Sequence, residues 1–358
     1  MKSKLLIFIF LIQTVSIYAQ ITIRVTNGQN LQTLIDAYPA GTIFMVEGGI
    51  VNSNLDIDKK VSIIGTGYFL NATTQATPGV AQVSHIRLKP GSDGSFITGL
   101  QCLSINISAN NILIQRCYAT EPIRLGYTGL GSGGVWTGTA NNCVILQNYS
   151  SRLEIVNQNA PNSSANNFVV KNNIFFRYGF HLEGNLSGEI SNNTFMPGVA
   201  TNEDYHSFQS SLNASYEFQW VCKILPIIFR NNIMPRVNVR NCSINSYPST
   251  DFNGNVFTQN FTNLLSSNTI NANPDDLFLG YPTNSNNALS PDARAQLATN
   301  SPAKGVGVGG TDAGAFGGDT PYVLNGIPNV PNIYSLTVPL QVPQNGTLNV
   351  QIKAKTNN

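Results

Sequence analysis

The seven residues Val169-Val170-Lys171-Asn172-Asn173-Ile174-Phe175 contain the pattern that decides the fold. A short apolar run reaches a pair of asparagines, and apolar residues resume directly after the pair. Asn tolerates the left-handed backbone conformation that a sharp bend requires, and its amide hydrogen-bonds nearby backbone groups. The pattern therefore predicts a short strand, a corner at the two asparagines and a second strand.

Related phrases recur along the chain, and their starts are 32, 25, 20, 39 and 23 residues apart. Self-similarity at such a period is typical of repeat architectures. If equivalent asparagines stack from repeat to repeat, each side-chain carbonyl can accept a hydrogen bond from the neighbouring amide, so we expect an asparagine ladder. The six copies are Ile112–Tyr118, Val144–Ser150, Val169–Phe175, Glu189–Phe195, Ile228–Met234 and Asp251–Phe257.

The segments at both ends of the repeats are also recognisable. Gln29–Tyr38 predicts an amphipathic helix that covers the first repeat, and a Pro-Ala-Gly-Thr turn leads from it into the strand Gly41–Gly49. Leu55–Gly65 follows, and the phrases Ser301–Gly305 and Thr311–Gly318 close the region.

These segments together resemble the pectin-lyase-like right-handed parallel β-helix superfamily, from about Ile21 to Gly318. The resemblance implies an all-β fold, a solenoid of about ten coils spaced by the distance between strands, with a short N-terminal capping helix. It is architectural and implies no specific enzyme family.

The N-terminus has the features of a secretory signal peptide. Lys2 and Lys4 precede the apolar run Leu5–Ile12, and Ala19 precedes the expected cleavage point. The apolar run is shorter than the ~20 residues that span a bilayer, and the first Cys is Cys102, so we expect neither a membrane span nor a lipid anchor. The predicted organisation is a signal peptide over 1–19, a β-helix domain over 20–318 and a Pro-rich strap with a terminal strand over 319–358.

The composition excludes a general polybasic binder. Lys and Arg total 20 against 18 Asp and Glu, and removal of Lys2 and Lys4 leaves 18 against 18. A neutral chain is not expected to bind nucleic acid or a membrane surface through its overall charge. The 46 Asn and 31 Gly residues favour a turn-rich β architecture.

Cysteine and histidine patterns predict no metal centre. Five cysteines leave one unpaired or all free, and none has the spacing of a zinc site. Cys117 with Cys143 and Cys222 with Cys242 have spacings that could stack them in neighbouring repeats, either as disulfides or as buried apolar residues. We therefore expect no cofactor, with Ca²⁺ only if the protein is a lyase.

The C-terminal part differs in composition from the repeats. Thr320–Pro343 holds five prolines and predicts an extended strap, whereas Thr347–Lys355 alternates apolar and polar residues and predicts one amphipathic strand. That strand either packs back on the repeats or forms an edge that faces a protein partner and is guarded by lysines.

The first candidate for chemistry is the stretch Phe176–Glu183. Alternation places its apolar residues on one face and Arg177, His181 and Glu183 on the other, where an Arg, a His and a carboxylate could bind or deprotonate a sugar acid. These three are the candidate catalytic residues. The competing interpretation is a solvated strand whose polar face carries charge.

The second candidate is a long excursion between repeats, with further residues beside it. Carboxylates and a His there could bind substrate, arginines could contact an acidic group, and an aromatic could stack on a sugar. The competing interpretations are a polar turn for the carboxylates and the His, surface ion pairs for the arginines and ordinary packing for the aromatic. Trp136 with Tyr127 offers another stacking platform. The candidate substrate-binding residues are Glu203, Asp204, His206, Trp220, Arg230 and Arg236.

Two classes of function remain open from the sequence, beside a purely structural role in which the terminal strand docks into a partner and the repeats act as a spacer. The first is an exported, non-catalytic module that binds or displays, with a polysaccharide or another surface polymer as its contact. The alternative is a polysaccharide lyase that acts on uronates by β-elimination or, less favoured, a glycoside hydrolase, which requires paired carboxylates. The fold alone decides neither, because function resides in the site.

Overall fold

A computed structural model shows an all-β protein built from three parallel sheets, which we name A, B and C, and a separate two-stranded sheet. The structure describes residues 20–26, 28–50, 54–71, 79–129, 135–156, 164–176, 180–183, 186–196, 227–234, 251–257, 267–269, 271–280 and 288–356. Sheet A has ten strands, sheet B nine and sheet C six among these residues.

The strands are short and pair in parallel with their neighbours in each sheet. Sheet A contains Thr22–Val25, Ile43–Val46, Ser62–Ile64, Phe96–Thr98, Leu113–Gln115, Val144–Leu146, Ala165–Lys171, Leu186–Ser191, Ile227–Arg230 and Phe252–Asn253. Sheet B contains Gly49–Ile50, Ala81–Gln82, Gln101–Cys102, Tyr118–Ala119, Tyr149–Ser150, Ile174–Phe175, Thr194–Phe195, Ile233–Met234 and Val256–Phe257. Sheet C contains Leu55–Ile57, His85–Leu88, Ser104–Ile107, Ile123–Leu125, Leu153–Val156 and Phe180–Glu183.

The chain visits the three sheets in turn. Leu113–Gln115 belongs to sheet A, Tyr118–Ala119 to sheet B and Ile123–Leu125 to sheet C, and Val144–Leu146 then pairs in parallel with the first of these strands. We call one such passage a circuit. Two parallel strands that lie side by side must be joined by a crossover connection. Here the strands of the other two sheets form that connection.

Side chains alternate between the core side and the outer side of each sheet. Ile114, in the middle of its strand, is fully buried and lies in register with Ile97 and Ile145, which are buried as well. Buried residues of sheets A, B and C form one contiguous apolar cluster. Each buried Leu, Ile, Val or Phe stabilises a fold by roughly 1.5–3 kcal/mol, so this cluster is the main favourable contribution.

The predicted N-terminal helix is present as Leu31–Ala37 and buries Leu31 and Ile35. It is shorter than the predicted range because Asn30 is its N-cap, where the side chain accepts a hydrogen bond from the Thr33 amide at 3.1 Å, and Tyr38 is its extended C-cap. A second α-helix spans Pro274–Leu277. The 3₁₀ helices are Ala293–Ala295, Val308–Gly310 and Leu324–Gly326.

The Asn-Asn pairs form the corners between sheets A and B, as the sequence predicts. The first residue of the pair has a left-handed backbone, with φ of +53° at Asn172, +54° at Asn192 and +57° at Asn231. Arg116 and Gln147 occupy equivalent corners with φ of +53° and +57°.

The second residue of each pair belongs to a buried hydrogen-bonded ladder, which confirms the predicted stacking. Asn193 Oδ1 accepts from both the backbone and the side-chain amide of Asn173, each at 3.0 Å. Asn193 Nδ2 donates in turn to Asn232 Oδ1 at 3.0 Å and to the Val170 carbonyl at 2.9 Å. The ladder comprises Asn148, Asn173, Asn193, Asn232, Asn255 and Asn268.

The first residue of each pair binds a C-terminal covering segment, residues 308–328, that follows the corner row in reverse order. Five successive circuits take part. The contacts include Val308 N to Asn231 Oδ1 at 2.8 Å, Asn172 Nδ2 to the Gly317 carbonyl at 2.7 Å, Gln147 Nε2 to the Pro321 carbonyl at 2.6 Å and Arg116 Nη1 to the Ile327 carbonyl at 2.9 Å.

A second apolar cluster joins the outer side of sheet B to the C-terminal region, where Ile174 and Ile233 pack with Ala313 and Tyr322. Its polar centre is the buried Asp292, which accepts hydrogen bonds from the Asn325 amide at 2.6 Å and from the Tyr322 hydroxyl at 3.3 Å. Burial raises the pKa of Asp292 above its usual range. This cluster fixes the covering segment against the repeats.

The C-terminal strand differs from the expectation that it packs back on the repeats. Gln351–Lys355 pairs antiparallel with Asn332–Thr337, which lies within the predicted strap. Leu348, Val350 and Ile352 are all exposed. The backbone therefore finds its hydrogen bonds in a separate hairpin, and the apolar side chains remain uncovered.

The described cysteines are buried and free, namely Cys102, Cys117 and Cys143. Burial raises the pKa of Cys117 and of Cys143 to about 12, as expected of small apolar residues and not of reactive thiols. Residues 1–19, Cys222 and Cys242 lie outside the described residues. In the part of the chain that the structure describes, no helix has the length and apolarity needed to cross a membrane.

The ladder makes a testable prediction about unfolding free energy. Asn193 Oδ1 accepts hydrogen bonds from two groups of Asn173, the backbone amide and the side-chain amide. In the preceding circuit the equivalent position is Cys117, so Asn148 Oδ1 accepts there from a backbone amide and from no side-chain amide. Asn193→Ala should therefore cost about 1 kcal/mol more than Asn148→Ala, because it removes one more buried hydrogen bond. Asn173 Nδ2 keeps the Ile145 and Lys171 carbonyls as acceptors, so it is not left unsatisfied. Urea denaturation of both variants measures the difference, and equal costs would contradict the role given to the ladder.

Candidate functional site

A row of polar residues crosses the outer side of sheet C. Each member occupies the same register position on its strand, so neighbouring members are one strand apart. We name this set the sheet C row: Asp56, Arg87, Asn106, Arg124 and Glu154.

The local sequence explains why these positions lie on the outer side. Arg124 stands between Ile123 and Leu125, both fully buried, and Glu154 stands between Leu153 and Ile155, also fully buried. Because successive residues of a strand point to opposite faces, the middle residue of such a triplet must face outward.

One end of the row is a nearly buried ion cluster. Glu154 Oε2 accepts a hydrogen bond from Arg124 Nε at 2.5 Å, and its other oxygen is paired with Arg152. Arg124 also reaches Asn106 Oδ1 at 3.3 Å. The side chains of Arg124 and Glu154 are only 8% and 6% exposed, so their interaction is weakly screened by solvent.

The other end of the row repeats this arrangement closer to solvent. Asp56 pairs with Arg87, whose Nε lies 2.6 Å from Oδ1, and with Lys89 at 3.9 Å. The hydrogen bond from Arg87, together with the charges of Arg87 and Lys89, holds the pKa of Asp56 below its usual range despite partial burial.

Each cluster therefore has two cations for one carboxylate and an excess of one positive charge. Arg87 and Arg124 are separated by one strand, that of Asn106, so the two clusters lie about 10 Å apart at the usual strand spacing. The row thus holds two spaced positive centres with the buried amide of Asn106 between them. Arg124 is nearly buried, whereas Arg87 and Lys89 are partly exposed.

A loop with two aromatic residues lies over the row. The Gly129 carbonyl accepts from Asn106 Nδ2 at 2.8 Å, which ties the loop to the middle of the row. The Tyr127 ring centroid is 5.0 Å from Arg124 Cζ, a cation–π contact, and the Trp136 ring stands edge-on at 4.8 Å from Tyr127. Tyr127 is buried, whereas Trp136 is partly exposed beside the row.

The register brings part of the predicted catalytic set next to this row. The strand Phe180–Glu183 pairs with Leu153–Val156, so His181 is in register with Glu154 and Glu183 with Val156. The catalytic role of His181 and Glu183 stays a prediction. Arg177 lies outside the described residues.

Of the predicted substrate-binding residues, the structure describes Arg230. Arg230 lies on sheet A and pairs with Asp251 at 2.8 Å, so it is on a different sheet from His181. Glu203, Asp204, His206, Trp220 and Arg236 lie outside the described residues. Over the described ranges, no group of three or more His, Cys, Asp or Glu side chains could hold a metal ion.

Sequence reasoning missed Asp56, Arg87, Arg124 and Glu154. The available signal was the apolar–polar–apolar triplet that surrounds each of them, as in Ile123-Arg124-Leu125. The triplets follow one another at uneven intervals, because the connections between strands differ in length. Only the register of sheet C shows that they stand side by side.

Comparisons with known proteins give no further assignment. No protein-family model matches the chain. No curated protein and no solved structure matches it either. The sheet C row is therefore interpreted from its own geometry.

Breaking the buried ion cluster should strongly destabilise the fold. Glu154→Gln removes the charge that Arg124 and Arg152 both contact, and breaking a buried pair in this way costs about 3–5 kcal/mol. The control is Glu47→Gln in the exposed Arg24–Glu47 pair, whose side chains are 76% and 36% exposed and whose loss should cost less than about 1 kcal/mol. Equal losses in urea denaturation would show that the cluster is not effectively desolvated.

The Asp56–Arg87 pair predicts a dependence of stability on pH. Because the folded pKa of Asp56 is lowered, its ionised form adds stability that is present above the unfolded pKa of about 3.9 and is lost as the pH falls through the lower folded value. The thermal midpoint of Asp56→Asn should therefore decline less than that of the wild type under acid conditions. Exposed Asp58→Asn is the control. A constant difference between wild type and Asp56→Asn over the whole pH range would refute this assignment.

Proposed function

We propose that this chain is an exported right-handed parallel β-helix of the pectin-lyase-like type that binds polysaccharide without cleaving it. The alternation of the chain among three parallel sheets supports the β-helix, as does the buried asparagine ladder. The signal-like segment 1–19 supports export.

The observation that carries the binding proposal is the partly exposed Trp136 beside the sheet C row, whose Arg87 and neighbouring Lys89 are partly exposed cations. A partly exposed indole offers an apolar face to a sugar ring, and exposed cations offer partners to carboxylate or sulfate groups. An extended acidic glycan that runs along the sheet C row, from strand to strand, would meet Trp136 and then Arg87 with Lys89, whereas the nearly buried Arg124 contacts Tyr127. Its contacts would be electrostatic and weakened by salt.

The contacts of the row favour binding over catalysis. Glu154 already accepts hydrogen bonds from two arginines, and Asp56 is paired with Arg87 and Lys89. The lowered pKa of Asp56 keeps that carboxylate ionised, so it is a poor acid or base near neutral pH. Both carboxylates instead hold neighbouring cations in fixed positions, as the binding of an acidic ligand requires.

The alternative is a polysaccharide lyase, favoured by the register of His181 with Glu154 next to Arg124. In that reaction an arginine would neutralise the uronate carboxylate and His181 would remove the neighbouring proton, after which the glycosidic bond breaks and an unsaturated uronate remains. Incubation with pectate, alginate and glycosaminoglycans, with and without Ca²⁺, tests it. Ultraviolet-absorbing unsaturated products that disappear in His181→Ala would replace the binding proposal by the lyase.

Trp136→Ala should weaken the binding of an acidic polysaccharide roughly tenfold, because one stacked aromatic contributes about 1 kcal/mol or more. Affinity electrophoresis in gels that contain polygalacturonate, alginate or a neutral glucan measures the effect. Tyr334→Ala, an aromatic change in the C-terminal hairpin, is the matched control and should bind like the wild type.

The acidic ligand is tested separately by Arg87→Met, which should reduce binding to the acidic polymers and leave any binding to the neutral glucan unchanged. Folded wild-type protein that binds none of the polymers would remove the proposal. So would a Trp136→Ala variant that binds as well as the wild type.

A further inference from the structure

The nearly buried end of the sheet C row has no direct access to a ligand. The side chains of Arg124 and Glu154 are 8% and 6% exposed, and Asn106 is fully buried. Two ions held out of water lose their hydration, and apolar residues of similar volume often stabilise a fold as well. Neither ligand contact nor a gain in stability therefore explains why these positions carry ions.

The guanidinium of Arg124 decides the orientation of the Asn106 amide. A guanidinium carries donors only, so Asn106 Oδ1 faces Arg124 Nη1, which lies 3.3 Å away. The amide nitrogen Nδ2 then points in the other direction and donates to the Gly129 carbonyl at 2.8 Å. A reversed amide would bring two donors together at Arg124 and two oxygens together at Gly129, so one orientation alone satisfies both neighbours.

Arg124 is itself held in place. Its Nε donates to Glu154 Oε2 at 2.5 Å, and the other oxygen of Glu154 is paired with Arg152. The backbone of Arg124 lies in a strand of sheet C that has a parallel neighbour on each side. The guanidinium is therefore a fixed point, and Asn106 transmits its position to the loop that contains Gly129.

We name this loop the Trp136 loop; it comprises residues 126–138, of which the structure describes 126–129 and 135–138. The restraint at Gly129 continues to the tryptophan through its neighbours. Thr128 precedes Gly129, and its backbone amide and its hydroxyl both donate to the Val135 carbonyl at 3.0 Å. Val135 directly precedes Trp136, so these hydrogen bonds connect Asn106 with the backbone of the tryptophan.

A second route joins the same guanidinium to the same ring. The Tyr127 ring centroid lies 5.0 Å from Arg124 Cζ, and the Trp136 ring stands edge-on to Tyr127 at 4.8 Å. Cation–π and edge-to-face contacts both depend on the placement of the rings. The hydrogen-bonded route through Asn106 and the aromatic route thus begin at one fixed charge and end at one indole.

We infer that Asn106 is a positioning residue of the proposed glycan site, through which the buried Arg124–Glu154 pair holds Trp136 beside the sheet C row. The inference rests on the proposed function, because it concerns the same site. An indole that is already held in its binding position loses less freedom when a sugar stacks on it, so the complex is tighter. The buried ion pair thus acts on the ligand indirectly, through the ring that it places.

The first test measures the position of Trp136 without any ligand. The chain has two tryptophans, so Trp220→Phe leaves the fluorescence of Trp136 alone. In that background Asn106→Leu, which has a similar volume and cannot donate to Gly129, should raise the quenching of this fluorescence by acrylamide, because the released loop exposes the indole. Asn106→Asp keeps an acceptor for Arg124 and loses only the donor, so it should act in the same direction.

Ser104→Ala is the matched control. Ser104 lies on the same strand and the same outer side as Asn106, is fully buried, and hydrogen-bonds His85 Nδ1 at 2.9 Å. The substitution removes a buried side-chain hydrogen bond that is not made to the Trp136 loop. It should therefore leave the quenching of Trp136 and the affinity for polymers unchanged. Circular dichroism confirms that each variant is folded.

The second test is a double-mutant cycle, measured by affinity electrophoresis in polygalacturonate gels. Asn106→Leu alone should weaken binding by about fivefold, because the indole is no longer held in its binding position. Added to Trp136→Ala, which alone weakens binding by about tenfold, it should cause no further loss, since no indole remains to be positioned.

Two outcomes would overturn the inference. One is equal quenching of Trp136 in the Asn106→Leu variant and in its parent. The other is a loss of binding that adds fully to that of Trp136→Ala, which would show that Asn106 acts elsewhere. Wild-type protein that binds no polymer would instead remove the proposed function, and the quenching result would still decide whether Asn106 positions Trp136.

Discussion

The structure depends on the hydrogen bonds between stacked asparagine amides. A buried amide that lacks partners destabilises a fold, but here each ladder carbonyl accepts from the residue of one neighbouring circuit and each amide donates to the other. The interaction fixes three things at once, namely the register between circuits, the sharpness of the corner and the direction in which the next strand leaves it. Each circuit satisfies the buried hydrogen-bonding groups of its neighbour at this corner. The ladder therefore tolerates connections of very different length elsewhere in the circuit.

The corner pairs serve two purposes because their two residues face different surroundings. The second residue joins the ladder, and the first binds the covering segment, so the C-terminal region is aligned by the same repeat that aligns the strands. At the end of this path, Asp292 holds Tyr322 and the Asn325 backbone, and Tyr322 contacts Tyr68 near the start of the repeats. The covering segment thus connects early and late circuits and closes the outer side of sheet B with apolar contacts.

With sheet B covered, the surfaces open to partners are sheets A and C, and their chemistry differs. Sheet C concentrates charge in pairs that share a carboxylate, which keeps cations fixed in place at a spacing set by the strands. Sheet A carries partly exposed apolar side chains in register on adjacent strands, namely Phe96, Leu113, Val144 and Val169. The sequence predicts that a strand such as Phe180–Glu183 alternates, but it could not predict that His181 would be in register with Glu154. That neighbour comes from another circuit, and its distance along the chain is set by loops without a fixed length.

Local backbone preference and alternation within one strand suffice to predict the repeat, the corners, the inward positions and the amphipathic character of Thr347–Lys355. Tertiary structure alone decided which outward residues became neighbours. It paired Arg124 with Glu154 and placed residues 308–328 along the corner row. It also left the C-terminal strand in a hairpin of its own. The physical reason is that each of these contacts joins segments far apart in sequence, so its partner is fixed by register between strands and not by any local pattern.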